Sequence, residues 1–180
     1  MSASPERPVA GEPGAPPLFL PRVAFPPYRF VPGQAPHPFM DREGWGYGQH
    51  PAAPPFVPRE RWRESEPYLR GLDFFNRGWW WEAHESWESL WHVVEGRDAA
   101  QHELLKGLIQ LAACALNRER GHDEGAARLL ETAHAALQRA KEAAGGARLC
   151  GLDLDAVAAD ARRALGAPTA CVGPLYLRPA

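Results

Sequence analysis

The sequence predicts an all-α protein, a compact bundle of about five helices built from two antiparallel helix hairpins, with an extended N-terminal arm packed on it. Two observations support this prediction. Fifteen of the nineteen prolines lie in residues 1–58, where they disfavour helices and central strands, whereas residues 68–166 contain none. From Glu60 onward, apolar residues recur at helical spacing. With 180 residues, 45% of them hydrophobic, the chain is long enough to bury one core.

Composition divides the chain into four parts. Residues 1–17, rich in Pro, Gly, Ala and Glu, are predicted to be a disordered tail. Residues 18–58 form the arm, residues 59–167 the helical domain and residues 168–180 a C-terminal tail. The arm carries aromatic side chains that are costly to leave in water: Phe19, Phe25, Tyr28, Phe30, Phe39, Trp45, Tyr47 and Phe56. We expect it to wrap over the helical domain, and recruitment of a partner by these aromatics remains the alternative.

The first predicted hairpin has clear stop signals. Its first helix includes Tyr68 to Phe75 and ends at Asn76-Arg77-Gly78, where glycine suits the end of a helix. The second helix runs from about Trp79 to Val94 and ends at Glu95-Gly96-Arg97. These two helices therefore form an antiparallel pair joined by a short turn.

Three further helices follow. Asp98 is a good N-terminal cap for the third helix, which Gly121 ends. The fourth runs from Asp123 to about Ala144 and ends at Gly145-Gly146. Asp153 can cap a short fifth helix that stops before Pro168.

The two hairpins resemble each other in sequence. Arg-Gly followed five residues later by alanine occurs at Gly78 and Ala83, and again 43 residues further on at Gly121 and Ala126. The pattern is similar to that of tetratricopeptide repeats, whose period is shorter, about 34 residues. Two units are too few for a solenoid, so a compact bundle is the better prediction.

Charge and cysteine content narrow the classes of partner. A formal net charge of −2 is unlike the basic balance of proteins that bind nucleic acid, and no nucleic-acid partner is expected. Three cysteines without CxxC spacing fit neither a disulfide framework nor a zinc ribbon. The N-terminus lacks the features of a signal peptide, and no segment is apolar enough for a membrane span. We expect a cytoplasmic protein without a membrane partner.

The second helix carries the candidate functional residues. Helical spacing places Trp80, Ala83, Trp87, Leu90 and Val94 on the side that faces the core. His84, Glu88, Trp91 and Glu95 form a neighbouring stripe, with Glu85 and His92 beside it. Carboxylates and imidazoles thus gather along one side of this helix.

Two chemical uses and one structural use fit this stripe. His84 with Glu88, or Glu88 with His92, could ligate one divalent metal from positions four apart, although the sequence is not HExxH. A glutamate beside a hydrophobic wall could instead act as a general acid or base, with His84, Glu85 and Glu88 as catalytic candidates. Glutamates near histidines are also typical of a solvated helix face or a structural polar network.

The third helix adds two polar residues to this picture. Lys106 and Gln110 lie four residues apart in the otherwise apolar run LLKGLIQLAACAL. Buried lysines and amides need polar partners. We therefore predict a polar cluster between the second and third helices, comprising His84, Glu85, Glu88, Lys106 and Gln110.

The segments FNRGWWWEAHESWESLW, LLKGLIQLAACAL and RGHDEGAARLL closely resemble the family known as domain of unknown function 309, which carries an EAHE motif and a GLIQLA segment. The resemblance covers about Tyr68 to Leu165, and the arm is similar to an extension found in some members. It implies a small all-helical bundle and no established activity. It also implies that Glu82, His84, Glu85, Glu88 and Trp91 occupy motif positions, with Gly107 and Gln110 in the second segment.

Three hypotheses of function follow. The leading one is a non-catalytic scaffold or binding module whose EAHE cluster is chiefly structural. The first alternative is a metal-dependent or acid/base hydrolase-like enzyme using His84, Glu85 and Glu88, with His37, His50 or Asp41 of the arm completing the site. The second is a tetratricopeptide-like protein that binds a partner on the outer faces of its helix pairs. Whether the protein is an enzyme or uses a cofactor stays undecided, and a protein partner, a small ligand and a homo-oligomer all remain open.

Overall fold

A computed structural model describes residues 16–166 and 175–179. Within these ranges a 3-10 helix, Arg59–Glu64, precedes five α-helices and a β-hairpin whose two strands have two residues each. The α-helices are α1 (Glu66–Phe75), α2 (Trp80–Val94), α3 (Ala99–Glu119), α4 (Asp123–Ala144) and α5 (Leu154–Leu165). The hairpin consists of β1 (Arg148–Leu149) and β2 (Leu152–Asp153), which pair antiparallel. The predicted all-α bundle is confirmed.

Local signals explain where the helices begin and end. The side chain of Asp98 accepts a hydrogen bond from the backbone of Gln101, and Asp153 accepts from Asp155 and Ala156, so both cap a helix N-terminus as predicted. After α1, Gly78 adopts a positive φ of 74°, a conformation that is rarely open to other residues. The amide of Trp79 then donates to the carbonyl of Phe74 at 3.0 Å, which closes the helix end.

The second hairpin repeats this turn 43 residues later. Gly121 has the same φ of 74°, and the amide of His122 donates to the carbonyl of Asn117 at 2.8 Å. Ala83 in α2 and Ala126 in α4 are both fully buried, which lets each helix approach its neighbour closely. The internal resemblance therefore corresponds to two similar helix hairpins.

The core lies between the two hairpins. Helix α3 packs against α2 and α4, while α1 packs against α2 and α5 against α4. The predicted core face of α2 is buried at Ala83, Trp87, Leu90 and Val94, and Trp80 is partly buried with its ring 5.0 Å from that of Phe75. This packing leaves the side of α2 that carries Trp81, Glu85 and Ser89 available to the arm.

The arm reaches the helices through polar and aromatic contacts. Between residues 16 and 58 it is free of helix and strand, as its prolines require. The carboxylate of Asp73 in α1 accepts hydrogen bonds from the amides of Phe19, at 2.8 Å, and Leu20, at 2.9 Å. Further along, Arg29 donates to the carbonyl of Gly78 and pairs with Glu119. These anchors hold the arm against both helix hairpins.

Two features of the C-terminal part were not predicted. One is the β1–β2 hairpin, which sits between α4 and α5. The other is the docking of residues 175–179, where Leu175 and Leu177 are buried in the core. The side chain of Asn76 donates to the carbonyl of Leu177 and accepts from its amide, at 2.9 and 2.7 Å.

Some sequence predictions lie outside the described residues. The tail predicted over residues 1–17 does so except for Pro16 and Pro17, and Pro16 accepts a hydrogen bond from Arg77 at 3.0 Å. The C-terminal tail does so at residues 168–174 and at residue 180. In the described ranges, no helix is both long and apolar enough to cross a membrane.

Candidate functional site

A cleft of about 1010 Å³ lies between the arm and the outer sides of α1 and α2. Its α2 wall includes Trp81, Glu82, Glu85, Glu88 and His92, and its α1 wall includes Glu66, Arg70 and Phe74. The arm closes the other side with Pro26, Phe39, Trp45, and the run from Gln49 to Pro54. Carboxylates of one helix thus face aromatic rings and prolines of the arm.

Glu82 is the most buried of these carboxylates. Only 4% of the residue is exposed, and its Oε1 accepts a hydrogen bond of 2.7 Å from the amide of Phe30 in the arm. Its Oε2 is buried and has no hydrogen-bond partner in the part of the chain that the structure describes. Burial raises the pKa of Glu82 to about 7, against the opposing effect of the Phe30 hydrogen bond. Glu82 therefore fastens the arm through one oxygen and leaves the other unused.

Glu85 and Glu88 continue this carboxylate row along α2. Burial, together with the nearby charge of Glu88, raises the pKa of Glu85 to about 7. The Glu88 side chain is 43% exposed, and one of its oxygens lies 3.8 Å from Nε2 of His84, whose side chain is 28% exposed. Glu85 consequently changes its charge near neutral pH while facing the cleft.

His84, Glu85 and Glu88 lie close enough to share an ion. One potential ligand atom from each residue lies within 4.8 Å of the others. Of the three, the two glutamates line the cleft, whereas His84 sits beside it. His92, the other predicted metal ligand, is exposed and packs its ring 5.1 Å from Trp91.

The arm residues proposed to complete the site divide into two groups. His50 lines the cleft together with Glu85 and Glu88. The ring of His37 instead packs 5.4 Å from that of Trp81, and the amide of His37 donates to the carboxylate of Asp41 at 2.7 Å. His37 and Asp41 therefore shape the arm, whereas His50 lines the same cleft as the carboxylates.

The predicted cluster of five polar residues is brought together in part. His84, Glu85 and Glu88 adjoin one another, as described above. Lys106 and Gln110 are half-buried on α3, and Oε1 of Gln110 is buried without a partner among the described residues. Their contact with the three α2 residues stays a prediction.

Residues 68–129 match the family model of the domain of unknown function DUF309. Over this segment, the family indicated by the sequence motifs is therefore supported. Neither a curated protein nor a solved structure was found to match the chain. The matched segment begins in α1 and ends in α4, so it contains Glu82, Glu85 and Glu88, whereas Glu66 precedes it. Of the aromatic residues that line the cleft, Phe39 and Trp45 lie on the arm, outside the matched segment, and Phe74 and Trp81 lie within it.

Two further residues of the matched segment, Trp91 and Gly107, serve packing. Trp91 stacks on His102 with ring centroids 4.7 Å apart, and its indole nitrogen is buried without a partner among the described residues. Gly107 lies where an added Cβ would meet Leu137 at 3.0 Å, so it allows α3 and α4 to approach closely. These contacts hold the helices that carry the cleft.

Sequence reasoning missed three residues of the site. Glu82 was recognised as a motif position but was not assigned to the polar cluster, although its place in the motif was a usable signal. Trp81 and Trp45 line the cleft from opposite sides. The aromatic content of the arm indicated that it packs on the bundle, but no signal in the sequence specified which rings face the carboxylates.

Proposed function

We propose that this protein is a non-catalytic binding module that holds a ligand in the cleft between its arm and helices α1 and α2. The observation that supports this best is the lining of the cleft. A cavity of about 1010 Å³ with aromatic walls and a few converging polar groups has the size and composition of small-molecule sites in proteins. The carboxylates of Glu82 and Glu85, both with a pKa of about 7, lie in that cavity.

Part of the EAHE segment has a structural role in this proposal. Glu82 tethers Phe30, and Trp81 packs its ring 5.0 Å from the Phe30 ring, so the arm is positioned by the same helix that carries the site. A scaffold role alone would not require Glu85, whose burial raises its pKa without an opposing hydrogen bond. A half-buried carboxylate whose charge is disfavoured by burial costs stability and is typical of a site kept for a ligand.

A fragment screen by nuclear magnetic resonance tests the proposal. A library with neutral, cationic and anionic members is added to the full chain, and the indole N–H signals of Trp45 and Trp81 are followed. We expect some fragments to shift both signals. Ala53 is exposed and lines the cleft from the arm, so Ala53→Trp should fill the cleft and abolish these shifts.

Ala127→Trp provides the matched control. Ala127 is exposed on α4 and does not line the cleft, so the same bulk added there should leave fragment binding unchanged. Fragments that bind Ala53→Trp as well as the unmodified protein would contradict the proposal. So would the failure of every fragment to shift the two indole signals.

A metal-dependent, hydrolase-like enzyme is the second candidate. The closeness of His84, Glu85 and Glu88 favours it, since one imidazole and two carboxylates can hold a divalent metal and leave positions for water. Metal analysis of protein purified without added metal, compared with a His84→Ala and Glu88→Ala double variant, tests this candidate. Stoichiometric metal that the double variant loses supports it, and absence of metal from both proteins contradicts it.

We also propose a cytoplasmic setting. Cys114 and Cys150 are buried free thiols, which is what a reducing compartment maintains. Cys171 lies outside the described residues. Burial raises the pKa of Cys114 to about 11 and that of Cys150 to about 12, so neither is suited to nucleophilic catalysis at neutral pH.

A further inference from the structure

We infer that the ligand of the cleft is an organic ammonium ion, a protonated amine attached to an apolar or aromatic body. This inference rests on the proposed binding function and specifies its ligand class. It follows from three properties of the cleft: buried polar atoms that lack partners, an excess of negative charge, and aromatic walls on both sides.

Two buried polar atoms of the cleft lack a partner among the described residues. One is Oε2 of Glu82, on a residue that is only 4% exposed, and the other is the indole nitrogen of Trp45 across the cleft. Buried polar atoms are normally hydrogen-bonded, because an unpaired one costs about 1–3 kcal/mol. A ligand that donates an N–H to Oε2 of Glu82 would pair the carboxylate oxygen, which is the acceptor of the two.

The charge of the lining selects for a cation. Four carboxylates line the cleft: Glu66, Glu82, Glu85 and Glu88. Among the lining residues that the structure describes, Arg70 is the one arginine or lysine, and its guanidinium already lies over the ring of Phe74, 5.3 Å from the centroid. His50 and His92 complete the titratable groups of the lining. An anionic ligand would meet this carboxylate excess in a site partly screened from water.

Aromatic rings supply the complementary surface. Trp81 stands beside Glu82 and Glu85 on α2, and Trp45 and Phe39 approach from the arm, where the Phe39 ring lies 5.9 Å from that of Trp81 and 5.2 Å from that of Trp45. Such rings attract ammonium groups through their negative faces. They also bury the apolar body to which the ammonium is attached.

These features distinguish an ammonium ion from a bare metal ion. A divalent metal would use His84, Glu85 and Glu88, a group that includes neither Glu82 nor any arm residue. It would therefore leave Oε2 of Glu82 unpaired, and it would make no use of the aromatic rings that line the cleft. An ammonium ion with an aromatic body accounts for both walls of the cleft. A cation there would also favour the ionised forms of Glu82 and Glu85, which burial disfavours.

Three probes of similar shape test the inference: 2-phenylethylammonium, neutral 2-phenylethanol and anionic phenylacetate. Each is titrated into the full chain, and its dissociation constant is measured from the indole N–H signals of Trp45 and Trp81. We expect the ammonium to bind about tenfold or more tightly than the alcohol, and phenylacetate to bind most weakly. Glu85→Gln should weaken binding of the ammonium about tenfold and leave the alcohol unaffected, since it removes charge without changing shape.

Glu131→Gln is the matched control, because Glu131 is exposed on α4 away from the cleft. It should leave all three dissociation constants unchanged. Equal binding of the three probes, or no effect of Glu85→Gln on the ammonium, would overturn the ammonium inference while the binding function stands. Binding of other fragments but none of these probes would do the same. If no fragment at all binds in the cleft, the proposed function fails and the ammonium inference fails with it.

Discussion

Two carboxylates of α2, those of Glu82 and Glu85, have different roles. Glu82 holds the arm through its hydrogen bond from Phe30, while Glu85 lies in the cleft with its charge disfavoured by burial. A glutamate whose pKa rises on folding keeps its proton to higher pH in the folded state than in the unfolded chain. Its ionisation therefore opposes folding, and the contribution of Glu85 to the stability of the protein falls as the pH rises from about 4.5 to about 7.

Glu85→Gln should remove this loss of stability. The variant and the unmodified protein should have similar free energies of unfolding at about pH 3, which lies below the pKa of Glu85 in both the folded and the unfolded state. At pH 8 the variant should be more stable by about 1 to 2 kcal/mol, a value reduced from the full shift because the side chain is partly exposed to solvent. Urea denaturation at the two pH values measures the difference. Glu131→Gln, on the exposed face of α4, should change little at either pH.

The packing of α1 against α2 depends on a close contact between Trp87 and the backbone of α1. The indole nitrogen of Trp87, at the centre of α2, donates to the carbonyl of Tyr68 at 3.2 Å. The buried indole lies directly against Gly71, where an added Cβ would come within 2.2 Å of it. A side chain at residue 71 would thus displace Trp87 and separate α1 from α2, the two helices that line the cleft.

Gly71→Ala should lower the free energy of unfolding by about 1 to 3 kcal/mol, because the core would be overpacked. Gly125→Ala in α4 is the comparison. There the added Cβ would meet Nδ2 of Asn117, the end of a flexible side chain, at 3.1 Å. It should be neutral or stabilising by up to about 1 kcal/mol from helix propensity. Chemical denaturation of both variants decides the matter, and equal effects would show that the contact with Trp87 is unimportant.

The helices could be predicted because their boundaries depend on neighbouring residues. Asp98 and Asp153 cap the chain that follows each of them, and Gly78 ends the helix that precedes it. The cleft could not be predicted, because it depends on contacts between distant parts of the chain. Phe30 and Glu82 lie 52 residues apart, and Asn76 and Leu177 lie 101 apart. No local pattern specifies such pairs.

In the whole molecule, segments from both sides of the helical region in sequence, the arm and residues 175–179, pack on the helical bundle. The arm is bonded at Asp73, Glu82 and Glu119, and the C-terminal segment is bonded at Asn76. Asp73 satisfies two backbone amides at once, those of Phe19 and Leu20, although its own burial raises its pKa. Loss of this one side chain should therefore loosen the start of the arm more than the bundle.

Asp73→Ala should leave the two amides without their acceptor and lower the free energy of unfolding by about 1 to 3 kcal/mol. Amide hydrogen exchange followed by nuclear magnetic resonance should show faster exchange at Phe19 and Leu20, with α3 little changed. Glu124→Ala removes an exposed carboxylate on α4 and should alter neither. Unchanged exchange at Phe19 and Leu20 in Asp73→Ala would show that the carboxylate does not hold the arm.

Because the two walls of the cleft come from different parts of the chain, the arm wall could change in sequence, and with it the bound ligand, without a change in the helical bundle. Glu82, Glu85 and Glu88 lie in the segment that matches the DUF309 model, whereas Phe39 and Trp45 belong to a segment that contributes little to the core. Residues 36–54 could therefore be exchanged for other sequences while Phe19, Leu20, Arg29 and Phe30 keep the graft in place. A chimera made in this way would retain the helical bundle and bind a different ligand in the cleft, as occurs when variable loops are carried by a constant framework.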